Sequence, residues 1–183
     1  MRIIAGQHRG LTLASVGKGD AGAHLRPTSD RVRESLFSVL LGYGFPAGAR
    51  VLDLFAGTGA LGLEALSRGA VHATFVDDGR VAQTLIRENI AKVRRGDDCT
   101  LIARDATRLP PNSSAPCDLV FLDPPYGKGL GLAALQAAQA GGWIAADALI
   151  VWEESASQPA PKGFALHDQR RYGDTHITLL GAP

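Results

Sequence analysis

The sequence has few of the residues that would place it among disulfide-stapled or zinc-binding proteins. Only two cysteines occur in 183 residues, Cys99 and Cys117, and C-x-x-C spacing is absent. Two cysteines cannot staple a domain or supply a zinc quartet, and they are typical of a reducing, cytoplasmic compartment. The five histidines are scattered without ligand spacing, so we expect no metal site.

Long hydrophobic runs are also missing. The first residues contain no extended apolar stretch, so we expect no secretory signal. The longest stretch without a charged residue, 129–146, is rich in alanine and is interrupted by Gln136, Gln139 and the Gly141-Gly142 pair. We therefore expect no membrane span.

The composition is that of a globular domain. Hydrophobic residues make up 45% and charged residues 20% of the chain, which excludes wholesale disorder. The net charge of +1 hides an asymmetry, because residues 1–50 carry seven Lys or Arg against three Asp or Glu, whereas residues 51–183 carry twelve against fifteen. Arginine outnumbers lysine fifteen to four, which suits bidentate contacts to phosphate or reflects a GC-rich genome.

Short apolar runs alternate with helical patterns from residue 50 onward. The runs predict buried parallel strands at 51–55, 73–76, 100–103, 119–122 and 149–152. The patterns between them predict helices at 60–68, 80–95 and 130–140. Segments 164–171 and 175–180 flank a turn and predict an antiparallel pair at the sheet edge. The predicted fold class is α/β, with a mostly parallel, twisted sheet.

The part before the sheet is basic and predicts a short N-terminal extension. Residues 2–5 and 11–13 are separated by two glycines and indicate a short hairpin or an arm. Thr28 and Ser29 are suited to cap the helix that follows. We predict one domain over 1–183, with the arm or hairpin over 1–27, a leading helix over 28–44 and the core over 50–183.

A glycine-rich turn (53–62) follows the first predicted strand. Gly57, Gly59 and Gly62 satisfy the G-x-G-x-x-G pattern, and such glycines let a ligand approach the backbone and leave N–H groups free at a helix start. Asp77 lies twenty residues after Gly57, where a ribose-binding acid belongs. A nicotinamide enzyme is therefore one interpretation.

Asp53 favours a different adenosine ligand. A carboxylate four residues before the first glycine would repel a pyrophosphate but suits a cationic, amine-bearing group. S-adenosylmethionine (AdoMet) is such a ligand, with its methionine part over the glycines, its ribose on Asp77 and its adenine amine on Asp105, unless Asp105 only caps a turn. The candidate cofactor-binding residues of the core are Asp53, Ala56, Gly57, Gly59, Asp77, Asp105 and Ala106.

An Asp-Pro-Pro-Tyr motif (123–126) follows the fourth predicted strand. Two prolines cannot continue a ladder, so the chain stiffens at the carboxyl end of the sheet, where ligands bind in open α/β folds. An exocyclic base amine is a poor nucleophile, and the Asp123 carboxylate and Pro124 carbonyl could accept its hydrogens while Tyr126 stacks on the base. The candidate catalytic residues are Asp123, Pro124, Pro125 and Tyr126.

The motifs together resemble a known family. The glycine-rich turn and the Asp-Pro-Pro-Tyr motif resemble class I AdoMet-dependent amino-methyltransferases. Arg-Ile-Ile-Ala-Gly (2–6), Leu-Arg-Pro-Thr-Ser-Asp-Arg-Val-Arg-Glu-Ser-Leu-Phe (25–37) and Tyr-Gly-Asp (172–174) more closely resemble the RsmD family of 16S ribosomal RNA guanine-N2 methyltransferases, in which phenylalanine is common at the position of Tyr126. The resemblance implies a Rossmann-like class I methyltransferase fold that uses AdoMet and no metal.

Arginines lie on both sides of the predicted core. If the N-terminal arm folds beside the active-site mouth, they would form a phosphate-binding rim, and otherwise they form a solvated basic face. The candidate RNA-binding residues are Arg2, Arg9, Arg26, Arg31, Arg33, Arg170 and Arg171. The resemblance also implies that residues 26–28, including Thr28, cover the cofactor.

The leading hypothesis is a monomeric enzyme that transfers a methyl group from AdoMet to the N2 amine of one guanine in 16S rRNA, alone or within an assembling or assembled small subunit. Three alternatives stay open. A methyltransferase acting on DNA adenine N6 or protein glutamine would use a related tetrapeptide, although no obvious DNA target-recognition domain is present. A nicotinamide oxidoreductase and a non-catalytic RNA-binding module are the others.

Overall fold

The computed structural model describes residues 1–16 and 28–183, so the predicted phosphate contact of Arg26 lies outside the described residues. The helices are α1 (Asp30–Gly42), α2 (Ala60–Ser67), α3 (Arg80–Val93) and α4 (Leu130–Ala140). The strands are β1 (Arg50–Leu54), β2 (His72–Val76), β3 (Cys99–Ile102), β4 (Cys117–Leu122), β5 (Ile144–Glu154), β6 (Ala165–Tyr172) and β7 (Thr175–Gly181). The predicted core elements are confirmed.

The sheet is doubly wound, and its strand order creates the site. The seven strands lie in the order β3-β2-β1-β4-β5-β7-β6, with β1 to β5 parallel and β7 antiparallel to both β5 and β6. From β1 the chain adds β2 and β3 on one side, and it then crosses back to add β4 and β5 on the other side, so the switch point lies between β1 and β4. A crevice opens at the carboxyl ends of the strands at such a switch point, which brings the glycine-rich turn beside the Asp-Pro-Pro-Tyr motif.

Both faces of the sheet are covered, which explains the uninterrupted apolar runs of its central strands. One face, with Val51 and Phe121, packs against α1, α2 and α3. The other face, with Leu52 and Val120, packs against α4. No helix in the described ranges is long and apolar enough to cross a bilayer.

The largest difference from the predicted elements is the start of β5. The strand begins at Ile144, five residues before the predicted 149, because Ile144 already pairs with Cys117. The register then shifts before Leu119 pairs with Leu149, and Asp147 adopts a left-handed φ of 59° in this irregular stretch. An apolar run predicts the regular part of such a strand and misses the irregular part.

The N-terminal segment is a short hairpin that packs on α2. The Ile3 N–H donates to the Leu11 carbonyl at 2.9 Å, and Arg2 forms an antiparallel bridge with Thr12. The buried Glu64 carboxylate accepts the N–H groups of residues 4 and 5 at 2.8 and 3.1 Å. The Gln7 N–H donates to the Ser67 carbonyl at 2.8 Å, so the turn of the hairpin lies at the C-terminal end of α2.

Candidate active site at the carboxyl edge of the sheet

The glycine-rich turn adopts a rare backbone conformation. Phe55, Gly57 and Gly59 have φ values of 60°, 58° and 77°, all in the left-handed region. Glycine adopts this region without steric cost, but a bulky side chain such as that of Phe55 does not. Strained non-glycine residues of this kind cluster at ligand sites, and this one stands directly after β1.

Gly62 lets α2 pack closely on the sheet. A Cβ atom at this position would fall 2.5 Å from the Phe75 ring and 3.2 Å from the Asp53 Oδ2 atom. The Gly62 N–H donates to the same Oδ2 atom at 3.0 Å. The third glycine of the pattern therefore has a packing role, while Gly59 begins α2 as its N-cap.

Asp53 is a buried carboxyl group at the end of β1, only 1% exposed. Burial raises the pKa of Asp53 to about 8, the Gly62 N–H opposes this shift, and the negative charge of Asp77 adds to it. A positively charged ligand nearby would favour the ionised form. The position therefore suits a cation better than an anion.

Asp77 links the glycine-rich turn to the loop after β2. One carboxylate oxygen accepts the Gly57 N–H and the other accepts the Gly79 N–H, both at 2.9 Å. Burial raises the pKa of Asp77, and the two N–H groups oppose the shift. The structure thus places the predicted ribose-binding acid directly beside the turn.

Asp105 caps a short 3-10 helix at 106–108. Its Oδ1 atom accepts from both the backbone N–H and the hydroxyl of Thr107, at 2.8 Å each, and these bonds lower the pKa of Asp105. Ala106 is buried, as is Ala56, whose N–H donates to the Val76 carbonyl at 3.1 Å. Asp105 therefore caps this short helix, and a contact with adenine would be made in addition to the capping bonds.

The Asp-Pro-Pro-Tyr motif continues from β4 directly beside the end of β1. The Asp123 N–H donates to the Leu54 carbonyl at 3.4 Å. Burial holds the pKa of Asp123 well above its ordinary value, and the negative charges of Glu153, Asp53 and Glu154 add to the shift. Pro124 is buried and Pro125 is exposed. The motif is thus adjacent to the glycine-rich turn and surrounded by carboxylates.

Glu153, near the end of β5, contacts the motif and was missed by sequence reasoning. Its side chain accepts hydrogen bonds from the Tyr126 hydroxyl at 2.8 Å and the Thr28 hydroxyl at 3.0 Å. The next residue, Glu154, accepts the Gly127 N–H at 3.1 Å. Two consecutive acidic residues at the end of an apolar strand were the available signal, because the carboxyl ends of parallel strands share one edge.

The predicted phosphate contact of Arg33 is wrong. Its side chain is completely buried, and Nη2 donates to the Arg2 carbonyl at 2.8 Å and to Asp30 at 2.6 Å. Its Nη1 atom lies 3.8 Å from the Glu64 carboxylate. Arg33 faces inward because it shares the buried face of α1 with Leu36, Phe37 and Leu40, at the spacing of one helix face.

The other described arginines do not form one rim. Arg9 belongs to the hairpin turn at the C-terminal end of α2, which is the amino end of the strands, so its predicted place at the active-site mouth is also wrong. Arg2 and Arg31 are exposed near the start of α1, on the side of Thr28. Arg170 and Arg171 are exposed at the end of β6. Arg171 pairs with His176, which pairs in turn with Glu154, so both arginines lie near the site.

Known proteins are similar to this chain over most of its length. The family model described as conserved hypothetical protein 95 matches residues 1–181. The chain is 38% identical over 183 residues to ribosomal RNA small subunit methyltransferase D of Escherichia coli K12, covering 98% of this chain and 88% of that protein. It is 39% identical over 130 residues to the putative rRNA methyltransferase YlbH of Bacillus subtilis, covering 69% and 67%.

A solved structure extends the similarity to the whole fold. The putative methyltransferase yhhF from Escherichia coli superposes with a TM-score of 0.82 at 35% identity, covering 100% of this chain and 97% of that one. The sheet order, the glycine-rich turn and the Asp-Pro-Pro-Tyr motif fit a Rossmann-like class I methyltransferase. The chain belongs to the RsmD family, that of ribosomal RNA small subunit methyltransferase D.

Proposed function

We propose that this protein is an AdoMet-dependent enzyme that methylates the exocyclic N2 amine of a guanine in 16S ribosomal RNA. The observation that carries the proposal is the adjacency of the glycine-rich turn and the Asp-Pro-Pro-Tyr motif at the switch point of the sheet. A methyl donor on the turn and an amine on the motif would meet over the ends of β1 and β4. The names of the relatives support ribosomal RNA of the small subunit as the substrate.

The donor would lie across the ends of β1, β2 and β3. Its methionine part would contact residues 56–59, where Gly57 and Gly59 have left-handed backbone conformations. Its positive charge would favour the ionised form of Asp53, its ribose would bind Asp77, and its adenine would lie beside Asp105 and Ala106. Thr28, bonded to Glu153 at 3.0 Å, stands where it could cover the cofactor.

The acceptor amine would bind at the motif. Its two hydrogens would be accepted by the Asp123 carboxylate and the Pro124 carbonyl, which directs the nitrogen lone pair at the methyl group, while the Tyr126 ring stacks on the base. Bound AdoMet would supply the methyl group of its sulfonium, so that the N2–CH3 bond would form as the S–CH3 bond breaks and leaves its electron pair on sulfur. The methylated nitrogen would then be positive and would lose a proton to water. Positioning supplies much of the acceleration in such a step.

The exposed arginines at this edge would contact RNA phosphates. Arg31, Arg170 and Arg171 are exposed. Arg31 follows Thr28, which bonds to Glu153, and Arg171 pairs with His176, the partner of Glu154. Arg2 Nε lies 3.6 Å from Asp30 Oδ2 at the start of α1. Planar guanidinium groups bind phosphate oxygens in a bidentate manner. We expect the protein to act as a monomer on 16S rRNA, either alone or within an assembling or assembled small subunit.

The test is transfer of labelled methyl to small-subunit particles and to naked 16S rRNA, both purified from cells that lack the gene. Mass mapping of the nucleotides should find one N2-methylguanine with the wild type and none with Asp123→Ala. Asp123→Ala should leave the AdoMet affinity measured by calorimetry little changed, because the glycine-rich turn is intact. Methylation only of DNA or of protein glutamine, or binding of NAD in place of AdoMet, would contradict the proposal.

A further inference from the structure

We propose that Glu153 is a positioning residue for the methyl transfer, which holds the Tyr126 ring in the orientation that stacks the target base. The inference rests on the proposed function and concerns a side chain of β5 outside both sequence motifs. Glu153 is not expected to touch the substrate. It acts through the hydroxyl of Tyr126.

The bonds of Glu153 connect three separate parts of the chain. The side chain is 6% exposed, and it accepts from Tyr126 Oη through Oε1 at 2.8 Å and from Thr28 Oγ1 through Oε2 at 3.0 Å. These donors lie 27 and 125 residues away along the chain. A buried carboxylate without such donors would be costly, so the bonds both stabilise Glu153 and define where the Tyr126 hydroxyl must lie.

Both ends of the Tyr126 side chain are therefore held before any base arrives. The backbone follows two prolines, and the next residue, Gly127, donates its N–H to Glu154 at 3.1 Å. At the other end, the hydroxyl oxygen lies 2.8 Å from Glu153 and 3.3 Å from the Thr175 hydroxyl on β7. A ring fixed at both ends does not have to be ordered when the base stacks on it, which is the advantage of preorganisation.

The same bond indicates that the hydroxyl does not act on the substrate. A phenol has one hydrogen to donate, and the Tyr126 hydroxyl donates it to Glu153. Burial raises the pKa of Tyr126, so the hydroxyl stays protonated and the bond persists at neutral pH. The aromatic ring is therefore the part of Tyr126 that would contact the base.

The first experiment compares Glu153→Leu with Glu153→Gln in methyl transfer to small-subunit RNA at saturating AdoMet. Leucine leaves a buried hydroxyl without its acceptor, and the ring should turn away, lowering kcat about tenfold or more while KM for RNA changes little. Glutamine keeps an oxygen for Tyr126 and an N–H for Thr28, so kcat should stay within about threefold of wild type. Asp118→Asn is the matched control, because Asp118 accepts the Arg50 N–H at 2.9 Å at the opposite end of the sheet.

The second experiment adds Tyr126→Phe to Glu153→Leu. If Glu153 acts only through the Tyr126 hydroxyl, the second substitution removes no further interaction, so the double variant should be no slower than Glu153→Leu alone. Two residues that act independently would instead lower kcat by the product of the two single losses. A multiplied loss in the double variant, or a Glu153→Leu enzyme as fast as wild type, would overturn the positioning role.

Folding and the proposed function are checked separately. Thermal unfolding and AdoMet calorimetry report whether each variant is folded with an intact glycine-rich turn. If Glu153→Leu does not fold, the kcat of Glu153→Gln tests the proposal. A kcat lowered tenfold or more in Glu153→Gln would mean that the charge of Glu153, and not its hydrogen bond, is needed. If the wild type transfers no methyl group to rRNA, the proposed function itself fails.

Discussion

The Asp53 carboxyl group at the end of β1 accepts a hydrogen bond from the Gly62 N–H in α2, at 3.0 Å. This bond joins the two elements on either side of the glycine-rich turn. Burial raises the pKa of Asp53 from 3.8 to about 8, so folding favours the protonated form of this carboxyl group. A cationic ligand on the turn would reverse this preference.

Asp53→Asn should remove a pH dependence of stability. Folding raises the pKa of Asp53 from 3.8 to about 8, so folding favours the protonated acid. Its contribution to the free energy of unfolding is complete below pH 3.8 and is lost as the pH rises through about 8. In urea unfolding, the stability of the wild type relative to Asp53→Asn should therefore fall from pH 5 to pH 8.

The same variant tests the cofactor site. Wild-type affinity for AdoMet should rise as Asp53 ionises, whereas the affinity of Asp53→Asn should be lower and should not follow this titration. Asparagine keeps an oxygen for the Gly62 N–H, so a loss of affinity would reflect charge and not a collapsed turn. Calorimetry at several pH values measures both, and equal affinities at high pH would contradict a role for the ionised carboxylate.

Gly62→Ala should destabilise the fold. The added Cβ atom would lie 2.5 Å from the Phe75 ring, and overpacking of this kind costs about 1–3 kcal/mol. Gly42→Ala is the control, because Gly42 is the last residue of α1 and a Cβ atom there would meet nothing within 4 Å. Chemical denaturation should show a loss only for Gly62→Ala, and equal stabilities for the two variants would show that α2 can move away from β2.

Arg33→Ala should be far more damaging to stability than Arg31→Ala. Removing one member of a buried ion pair costs about 3–5 kcal/mol, and Arg33 connects Asp30, the Arg2 carbonyl and the buried Glu64. Arg31 is its exposed neighbour on α1, and its loss should stay within about 0.5 kcal/mol. Urea unfolding decides between a structural Arg33 and a phosphate-binding one, for which stability would hardly change.

The fold could be predicted because each helix and strand is indicated by a local pattern in the sequence. The apolar runs of a doubly buried parallel sheet and the helical periods between them identify the elements, and α4 begins and ends as predicted, at 130 and 140. The inward direction of Arg33 was also present in the sequence. Leu36, Phe37 and Leu40 lie three, four and seven residues later, and this spacing assigns all four residues to one helix face.

The contact of Glu153 with Tyr126 could not be predicted in the same way. It depends on the register in which β5 pairs with β4, where Trp152 lies opposite Leu122, and a hydrophobic pattern does not give this register. The position of Arg9 depends on backbone N–H groups of the hairpin that bond to Glu64 and Ser67. Polar contacts between segments that are distant along the chain produce no periodic pattern in the sequence.

Arg170 and Arg171 should contribute to RNA binding, whereas Arg9 should not. The first two lie at the end of β6 beside the active-site edge, and Arg9 lies in the hairpin turn at the opposite end of the strands. Each phosphate contact that is lost should reduce the slope of log affinity against log salt concentration by about 0.7 for single-stranded RNA. Arg170 also pairs with Asp168 at 2.7 Å, so Arg171→Ala gives the cleaner single substitution.

The measurement is RNA binding across a salt series with naked 16S rRNA, with AdoMet affinity as the check on folding. Arg171→Ala should weaken binding most at low salt and flatten the slope, Arg170→Ala should do the same to a smaller extent, and Arg9→Ala should reproduce the wild-type line. All three should bind AdoMet as the wild type does, because none contacts the glycine-rich turn. A flattened slope for Arg9→Ala with unchanged slopes for the β6 variants would mean that RNA approaches from the amino end of the sheet, far from Asp123.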